Sequence, residues 1–327
     1  METRALGTSD IRASVIGLGC NNFGIFQDAA QATACVHAAL DAGITFFDMA
    51  SEHGQGLEES LVANALGPRR KDVVIATKFG QAELLGVGPG GTLEMSTDHA
   101  RQGASRRWIM QAVEESLTRL RTDYIDLYQP HVIDAGTPRE ETLRALDDLV
   151  RQGKVRAIGE AATFATADDL VSSMAMQAAH GLTPFVSIET QYNLLVRGAE
   201  RRILPEVRAR HMSLLPYFPL ANGLLTGKYR ADSAYPAGSR LEKLPVLKQF
   251  LDPAAHWGQV EALRQFAETR HLTMVELAMG WLLSEPAVAS VIAGATSPQQ
   301  VAQNAAAAGV RLSAEDRAAL DGITGPR

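Results

Sequence analysis

The strongest constraint on the fold is the alternation of short apolar segments with longer amphipathic segments along the whole chain. Each short segment is mostly apolar and is bounded by turn residues or charged residues, which is typical of strands buried on both faces of a parallel sheet. Eight segments fit this description: 15–19, 44–48, 73–77, 124–128, 155–159, 185–189, 213–217 and 290–293.

Helical periodicity fills the intervals between these strands. Residues 29–42 and 106–121 repeat apolar side chains at helical spacing, and Ser105, Asp168 and Thr273 are candidate cap neighbours at helix starts. Further helices are predicted near 57–67, 139–152, 166–180, 199–210, 257–270 and 273–284. Eight strands with crossover helices predict a (β/α)8 TIM barrel that forms one domain over residues 1–327. The alternative, a doubly wound open sheet, is disfavoured because no Gly-x-Gly-x-x-Gly follows the first strand.

Composition excludes several classes of protein. The 327 residues are 46% apolar and 21% charged, which suits a large globular core. A net charge of -6 argues against nucleic-acid binding, because phosphate binding needs a basic face. No apolar run reaches the roughly 18 residues of a membrane helix, and the first residues carry no signal-peptide pattern. Cys20, Cys35 and the histidines do not have metal-ligand spacing, so we predict no metal site. Two cysteines form no disulfide framework, which favours a reducing cytoplasm.

Two aperiodic stretches interrupt the alternation, at 81–104 and 221–250. Both follow predicted strands on the side where a barrel carries its active site. Long loops inside a compact domain are often lids or binding loops, so we interpret both stretches as loops around a site.

Three side chains capable of proton chemistry stand at or just after predicted strand ends: Asp48, Lys78 and His131. Strand ends converge at the mouth of a barrel, so we expect these side chains to lie close together. A carboxylate keeps a neighbouring ammonium charged, and both tune the pKa of a nearby acid. A structural salt bridge at the barrel rim is the competing interpretation of the Asp48 and Lys78 pair.

Seven ordered motifs resemble the aldo-keto reductases, in the branch of the bacterial aryl-alcohol dehydrogenases and potassium-channel beta subunits. They span almost the whole chain and are 17–24 (GLGCNNFG), 47–54 (FDMASEHG), 76–80 (ATKFG), 116–131 (SLTRLRTDYIDLYQPH), 153–159 (GKVRAIG), 219–229 (PLANGLLTGKY) and 294–304 (GATSPQQVAQN). The resemblance implies hydride exchange between a nicotinamide cofactor and a small carbonyl or alcohol. It also implies a tetrad of Asp48, Lys78, His131 and the residue at position 53.

The resemblance further implies a nucleotide lying across the barrel mouth, NADP with NAD as an alternative. Tyr217 would stack on the nicotinamide, as suits a flat aromatic ring. The nicotinamide end, the pyrophosphate and the adenosine end would be held by Cys20, Asn21, Asp48, Thr163, Glu189, Pro219, Leu220, Gly223, Leu224, Lys228, Gly294, Thr296, Gln300, Gln303 and Asn304. The last group would lie at the start of a helix, where free backbone N–H groups favour phosphate.

His53 departs from the family pattern, which has tyrosine at this position. An imidazole also exchanges protons near neutral pH, so His53 is our predicted acid/base. Two other interpretations stay open: proton transfer by His131, and a nucleotide-binding sensor with little turnover. A barrel hydrolase or isomerase that uses Asp48 and His53 without nucleotide is a more distant alternative.

The cofactor motifs also depart from the pattern. Glu189 stands where the family has glutamine and, if ionised, cannot donate a hydrogen bond. In the segment that follows the predicted strand 155–159, Thr163 is the one side chain able to hydrogen-bond the carboxamide of the nicotinamide. The 296–304 segment has no arginine or lysine for a 2′-phosphate, a role that Lys228, Arg230 or Arg240 of the second long loop would have to fill.

Overall fold

The computed structural model describes residues 1–162, 165–249 and 251–325. Within these residues the strands are β1 (Thr3–Ala5), β2 (Arg12–Ser14), β3 (Ile16–Gly19), β4 (Phe46–Asp48), β5 (Val74–Phe79), β6 (Leu84–Val87), β7 (Leu93–Met95), β8 (Ile125–Pro130), β9 (Val155–Glu160), β10 (Phe185–Gln191), β11 (Ser213–Tyr217) and β12 (Val291–Gly294). The helices are α1 (Ala29–Asp41), α2 (Leu57–Leu66), α3 (Arg106–Leu120), α4 (Arg139–Arg151), α5 (Ala167–His180), α6 (Ala199–Ala209), α7 (Arg240–Lys243), α8 (Trp257–Thr269), α9 (Met274–Leu283), α10 (Pro298–Ala306) and α11 (Ala314–Thr324).

Eight parallel strands form one sheet in the order β11-β10-β9-β8-β5-β4-β3-β12. The two ends of this sheet meet, because the Leu214 N–H donates to the Ala287 carbonyl at 2.8 Å and the Leu214 carbonyl accepts from Ala289. The result is a nearly closed (β/α)8 barrel, as the alternation of strands and helices predicted. Apolar side chains that include Phe46, Leu127 and Leu215 fill its interior.

All eight predicted barrel strands are confirmed. Three of them (β5, β8 and β10) run two residues beyond the predicted end. The predicted strands end where polar residues follow the apolar run. Most of the residues just beyond these ends are nevertheless buried in the structure. The predicted helices are confirmed as well. Ser105 caps α3 and Thr273 caps α9, whereas Thr166 is the cap of α5 and Asp168 lies in its first turn.

The amino-terminal hairpin of β1 and β2 covers the bottom of the barrel. The Ser14 hydroxyl accepts from the backbone N–H groups of Thr45 and Phe46, where β4 begins. The Gly7 N–H donates to the Ser213 hydroxyl at 2.7 Å, where β11 begins. A side chain at Gly7 would lie 2.3 Å from the Val186 carbonyl oxygen, and its φ of +53° also favours glycine. The hairpin therefore leaves only the opposite end of the barrel for a site.

The stretch at 81–104 is not a plain loop as predicted, since β6 and β7 form an antiparallel hairpin within it. The two strands are short and are joined by a glycine-rich turn, so their alternating side-chain pattern is not apparent in the sequence. The hairpin lies over the carboxyl ends of the barrel strands, because the Leu84 N–H donates to the Glu52 carbonyl at 3.0 Å. A side chain at Gly91 would meet the Lys243 carbonyl oxygen at 2.5 Å, so the two long loops contact each other across the mouth.

Candidate active site

Strand ends bring the predicted tetrad to one place at the barrel mouth. Asp48 is the last residue of β4, Lys78 lies near the end of β5, and His131 follows β8. The His131 N–H donates to the Phe79 carbonyl at 2.8 Å, which fixes the segment after β8 against the end of β5. His53 lies in the loop between β4 and α2, and its ring centroid is 6.0 Å from that of His131.

Lys78 is the buried cation of the site. Its Nζ donates to both Asp48 carboxylate oxygens, at 2.6 and 2.7 Å, and to the Met49 carbonyl at 3.1 Å. Glu189 Oε2 lies 3.1 Å away as a second ion-pair partner. Burial lowers the pKa of Lys78, but the attraction of Asp48 and Glu189 outweighs it and the pKa is raised above its ordinary value. Lys78 therefore remains an ammonium ion.

The surroundings of Glu189 shift its protonation equilibrium, which the sequence left open. Burial and repulsion by Asp48 raise the pKa of Glu189 to about 8, against the attraction of Lys78. The Gln129 amide donates to the same carboxyl group at 3.3 Å. The raised pKa favours uptake of a proton by Glu189, and in that form the carboxyl group both donates and accepts hydrogen bonds, as an amide does.

His53 forms a hydrogen-bonded pair with Glu58, a residue that sequence reasoning missed. His53 Nδ1 lies 2.6 Å from Glu58 Oε2, and Glu58 is fully buried in the first turn of α2. Burial lowers the pKa of His53, but the carboxylates of Glu58 and Glu52 outweigh burial and the repulsion of Lys78, so the pKa is raised. Burial raises the pKa of Glu58 to about 7, against the attraction of His53. The pair therefore shares a proton near neutral pH.

His131 has its own carboxylate partner, Glu52, which is also buried. Glu52 Oε1 forms a short hydrogen bond with His131 Nδ1, and Glu52 Oε2 accepts from the Ser51 hydroxyl at 3.0 Å. Burial lowers the pKa of His131 more than Glu52 raises it, so the pKa is below its ordinary value. Burial also opposes ionisation of Glu52, yet His131 and His53 lower the pKa of that carboxyl. His131 is therefore neutral at pH 7 beside an ionised Glu52.

Glu59 follows Glu58 and is equally buried, but it faces away from the histidines. Its carboxylate accepts from the Thr77 hydroxyl at 2.7 Å and from Arg119 Nε at 2.6 Å. Both carboxylate oxygens are thus occupied by structural partners between α2, β5 and α3. The two adjacent glutamates therefore have separate surroundings within one helical turn.

Beside the tetrad, the segment after β11 has an unusual backbone. Phe218, Ala221, Asn222 and Gly223 all have positive φ, between +49° and +99°. Asn222 is only 4% exposed, and neither polar atom of its side-chain amide has a hydrogen-bond partner among the residues that the structure describes. A buried amide without partners needs an explanation, and a ligand that hydrogen-bonds to it is one.

Arg240, in the second long loop, lies next to this segment. Its guanidinium is 5.6 Å from the Phe218 ring centroid, and Nη1 is 3.5 Å from Asn22 Oδ1. Its Nε is buried without a partner, and no carboxylate lies within 4.0 Å among the residues that the structure describes. Burial lowers the pKa of Arg240. A partly buried guanidinium without a carboxylate partner is suited to an anion.

The remaining predicted cofactor residues differ in exposure. Tyr217 ends β11 half-buried, and burial together with Glu189 raises its pKa to about 12. At the start of α10, the Thr296 N–H donates to Gln300 Oε1 at 2.9 Å and Asn304 donates to the Gly294 carbonyl at 3.4 Å. Gln303 and Lys228 are exposed, Asn21, Leu220 and Gly223 are partly exposed, and Cys20, Pro219 and Leu224 are buried. Thr163 lies outside the described residues.

The burial of Cys20 limits what it can contribute to a ligand. The side chain is fully buried, and its Sγ lies 3.5 Å from the Leu18 carbonyl oxygen. Burial and the carboxylates of Glu58 and Asp48 raise the pKa of its thiol well above the ordinary value. Its backbone N–H donates to the Asp48 carbonyl. Cys20 therefore packs beneath the site as a neutral thiol.

No helix in the described ranges is long and apolar enough to cross a membrane.

The sequence model of the Aldo/keto reductase family matches residues 15–324. The chain is 32% identical to "Aldo-keto reductase YhdN" of Bacillus subtilis (strain 168), over 99% of this chain and 93% of that protein. It is 33% identical to a "Probable voltage-gated potassium channel subunit beta" of Oryza sativa subsp. japonica, over 93% and 90% of the two chains. It is 29% identical to "L-glyceraldehyde 3-phosphate reductase" of Escherichia coli O157:H7, over 98% and 92%. The chain therefore belongs to the aldo-keto reductase family of NAD(P)H-linked oxidoreductases that act on small carbonyl compounds.

Proposed function

We propose that this protein exchanges hydride between NADP and a small carbonyl or alcohol, with His53 as the acid/base in place of tyrosine. The observation that carries the proposal is the His53–Glu58 hydrogen bond of 2.6 Å beside the Lys78–Asp48 pair. A carboxylate partner on Nδ1 fixes the ring and leaves Nε2 to exchange a proton with a substrate oxygen. The nicotinamide, when bound, supplies the carbon that gives or takes hydride.

The charge pattern favours His53 over His131 as the proton donor. The pKa of His53 is raised and that of His131 is lowered, so near pH 7 the proton resides on the pair of His53 and Glu58. A general acid is most effective when its pKa lies near the working pH. His131, neutral and held by Glu52, is suited to position the substrate oxygen.

The residues beside the tetrad fit a dinucleotide. Tyr217 offers a flat, half-buried ring next to Glu189, which can hydrogen-bond a carboxamide. Asn222 Nδ2 and Arg240 Nε, which lack partners among the described residues, fit phosphate oxygens, because amide and guanidinium N–H groups donate to them. We assign the adenosine end to the start of α10, beside Thr296, Gln300, Gln303 and Asn304, although the Thr296 N–H donates to Gln300 in the structure. Arg240 is the residue that supports NADP as the cofactor, since the 296–304 segment has no cation.

Removal of the Arg240 guanidinium tests the cofactor proposal. We expect wild-type protein to bind NADP(H) and to melt at a higher temperature with it, because the ligand binds only the folded state. Arg240→Ala should weaken binding by about 1.5–3 kcal/mol, the range for hydrogen bonds to charged groups. Isothermal titration calorimetry measures both. Arg230→Ala is the matched control, because in the described part of the chain exposed Arg230 forms hydrogen bonds only with backbone carbonyls of its own loop. Equal losses in the two variants, or no binding by wild type, would contradict the proposal.

Tyr217 tests the position of the nicotinamide. If the ring stacks on it, Tyr217→Ala should weaken cofactor binding by roughly 1–2 kcal/mol, from lost stacking and ring burial. Tyr217→Phe should keep most of the affinity, because the flat ring remains. Titration of intrinsic fluorescence with NADP(H) measures this difference, and unchanged affinity in a folded alanine variant would show that the ring lies elsewhere.

A further inference from the structure

The two imidazoles of the site are held through the same ring nitrogen. His53 Nδ1 bonds to Glu58, and His131 Nδ1 bonds to Glu52. Glu52 is ionised and an ionised carboxylate only accepts hydrogen bonds, so Nδ1 of His131 carries its hydrogen, whereas Nδ1 of His53 and Glu58 hold one hydrogen between them. Neither Nε2 has a hydrogen-bond partner in the described part of the chain, and the two side chains are 19% and 15% exposed. Nε2 is therefore the ring nitrogen left to face a substrate.

The protonation state of each Nε2 follows from its surroundings. Four groups face His53: Glu58 from α2, Glu52 from its own loop, Lys78 from β5, and the ring of His131. While the His53–Glu58 pair holds its shared proton, Nε2 carries hydrogen. Once that proton is lost, Nδ1 keeps the remaining hydrogen and Nε2 becomes a proton acceptor. Nε2 of neutral His131 is an acceptor already.

Two acceptor nitrogens distinguish the two redox forms of a substrate. A carbonyl oxygen has only lone pairs, so it meets repulsion from an unprotonated Nε2. A hydroxyl group has a hydrogen to donate, so it binds the same nitrogen. The hydrogen on each Nε2 therefore decides which redox form of the substrate that nitrogen binds.

We propose that Glu58 and Glu52 are positioning residues that, by binding Nδ1 of His53 and His131, turn Nε2 of both rings toward the substrate oxygen and set which Nε2 carries hydrogen. This rests on the proposed function and adds the residues that orient its acid/base. In the direction of alcohol oxidation, the hydroxyl proton goes to Nε2 of His53, the hydride on the same carbon goes to oxidised nicotinamide, and a carbonyl product forms. His53 then returns its proton to solvent, so atoms and charges balance.

The first test needs neither cofactor nor turnover. Nitrogen-15 NMR of histidine-labelled apoprotein reports which ring nitrogen carries hydrogen, with His53 and His131 assigned by substitution. At pH 9 we expect the Nδ1–H form in both rings. In Glu58→Gln the apparent pKa of His53 should fall by about 1–2, because the carboxylate that raises it is gone. Glu58→Asp keeps the charge and should restore part of the loss.

Glu59→Gln is the matched control. It removes an adjacent and equally buried carboxylate whose partners are Thr77 and Arg119. We expect it to lower the melting temperature without moving the His53 titration. A purely structural role of Glu58 would give the same result in both glutamine variants.

The second test follows alcohol oxidation with NADP⁺ across pH 6–9.5. In the wild type we expect kcat/KM to rise with pH and to level off above the apparent pKa of the His53–Glu58 pair. In Glu58→Gln this profile should move to lower pH, with a kcat about 10- to 100-fold lower and little change in KM. An Nε2–H form at pH 9, or an unchanged His53 titration in Glu58→Gln, would overturn the inference while leaving a His53-dependent oxidoreductase. Absence of cofactor binding, or full activity in His53→Ala, would instead overturn the proposed function.

Discussion

Replacement of His53 by alanine is expected to lower turnover by about 10²–10⁴, the usual size of general acid–base catalysis. The reason is that Nε2 of His53 is the exchangeable position of a pair that shares a proton near pH 7, next to Lys78. Steady-state rates with a panel of carbonyls and alcohols, in both directions, measure the loss. Cofactor affinity should change little, which separates a chemical effect from a collapsed site.

His53→Tyr restores the residue that the family carries at this position. We expect it to keep or increase reduction of simple aldehydes, because a phenol can also donate a proton. Its pH–rate profile should move upward, since the reference pKa values of imidazole and phenol differ by about 3.5. The buried carboxyl of Glu58 would then lack its imidazole partner, so the combination of His53→Tyr with Glu58→Ser should be the more stable protein.

Two results would assign the proton differently. If His53→Ala leaves the rate and its pH dependence unchanged while His131→Ala abolishes activity, the proton passes through His131. If the wild type turns over no carbonyl or alcohol while His53→Tyr is active, the protein is better described as a nucleotide-binding sensor. Measurement of all three proteins with the same substrates distinguishes these cases.

The barrel could be predicted from sequence because its strands are buried on both faces and so appear as apolar runs. The meeting of Asp48, Lys78 and His131 followed from the same prediction, since strand ends converge at the barrel mouth. The orientation of the side chains did not follow. Residues 52 and 131 are far apart in sequence, and only the folded chain brings Glu52 to His131.

Glu58 was missed for a local reason. An acidic residue in the first turn of a helix is usually exposed and stabilises the helix end, so sequence analysis does not identify it as a site residue. A signal existed, however, because Glu58 precedes Leu61 and Val62 by three and four residues and so shares their buried helix face. Arg240 gave no comparable signal, since it lies in a stretch without periodicity and its neighbours Asn22 and Phe218 are distant in sequence.

Removal of the buried cation should have the largest effect on stability. Lys78→Met leaves the Asp48 carboxylate buried without its cation, whereas the raised pKa of Glu189 lets that group take up a proton more easily. Breaking a buried ion pair by removing one partner costs about 3–5 kcal/mol, so the free energy of unfolding at pH 7.5 should fall by that amount. Urea denaturation followed by circular dichroism measures the change.

The pH dependence of this loss identifies its cause. In Lys78→Met, an unpaired buried Asp48 takes up a proton more readily than it does in the unfolded chain, so its folded-state pKa is raised. The folded variant then binds more protons than the unfolded one, and its stability should rise as the pH falls through that raised pKa. The double variant Lys78→Met with Asp48→Asn carries neither charge and should recover most of the loss at pH 7.5. A loss equal at pH 5 and pH 8, and unrelieved by Asp48→Asn, would mean that Lys78 stabilises the barrel by packing alone.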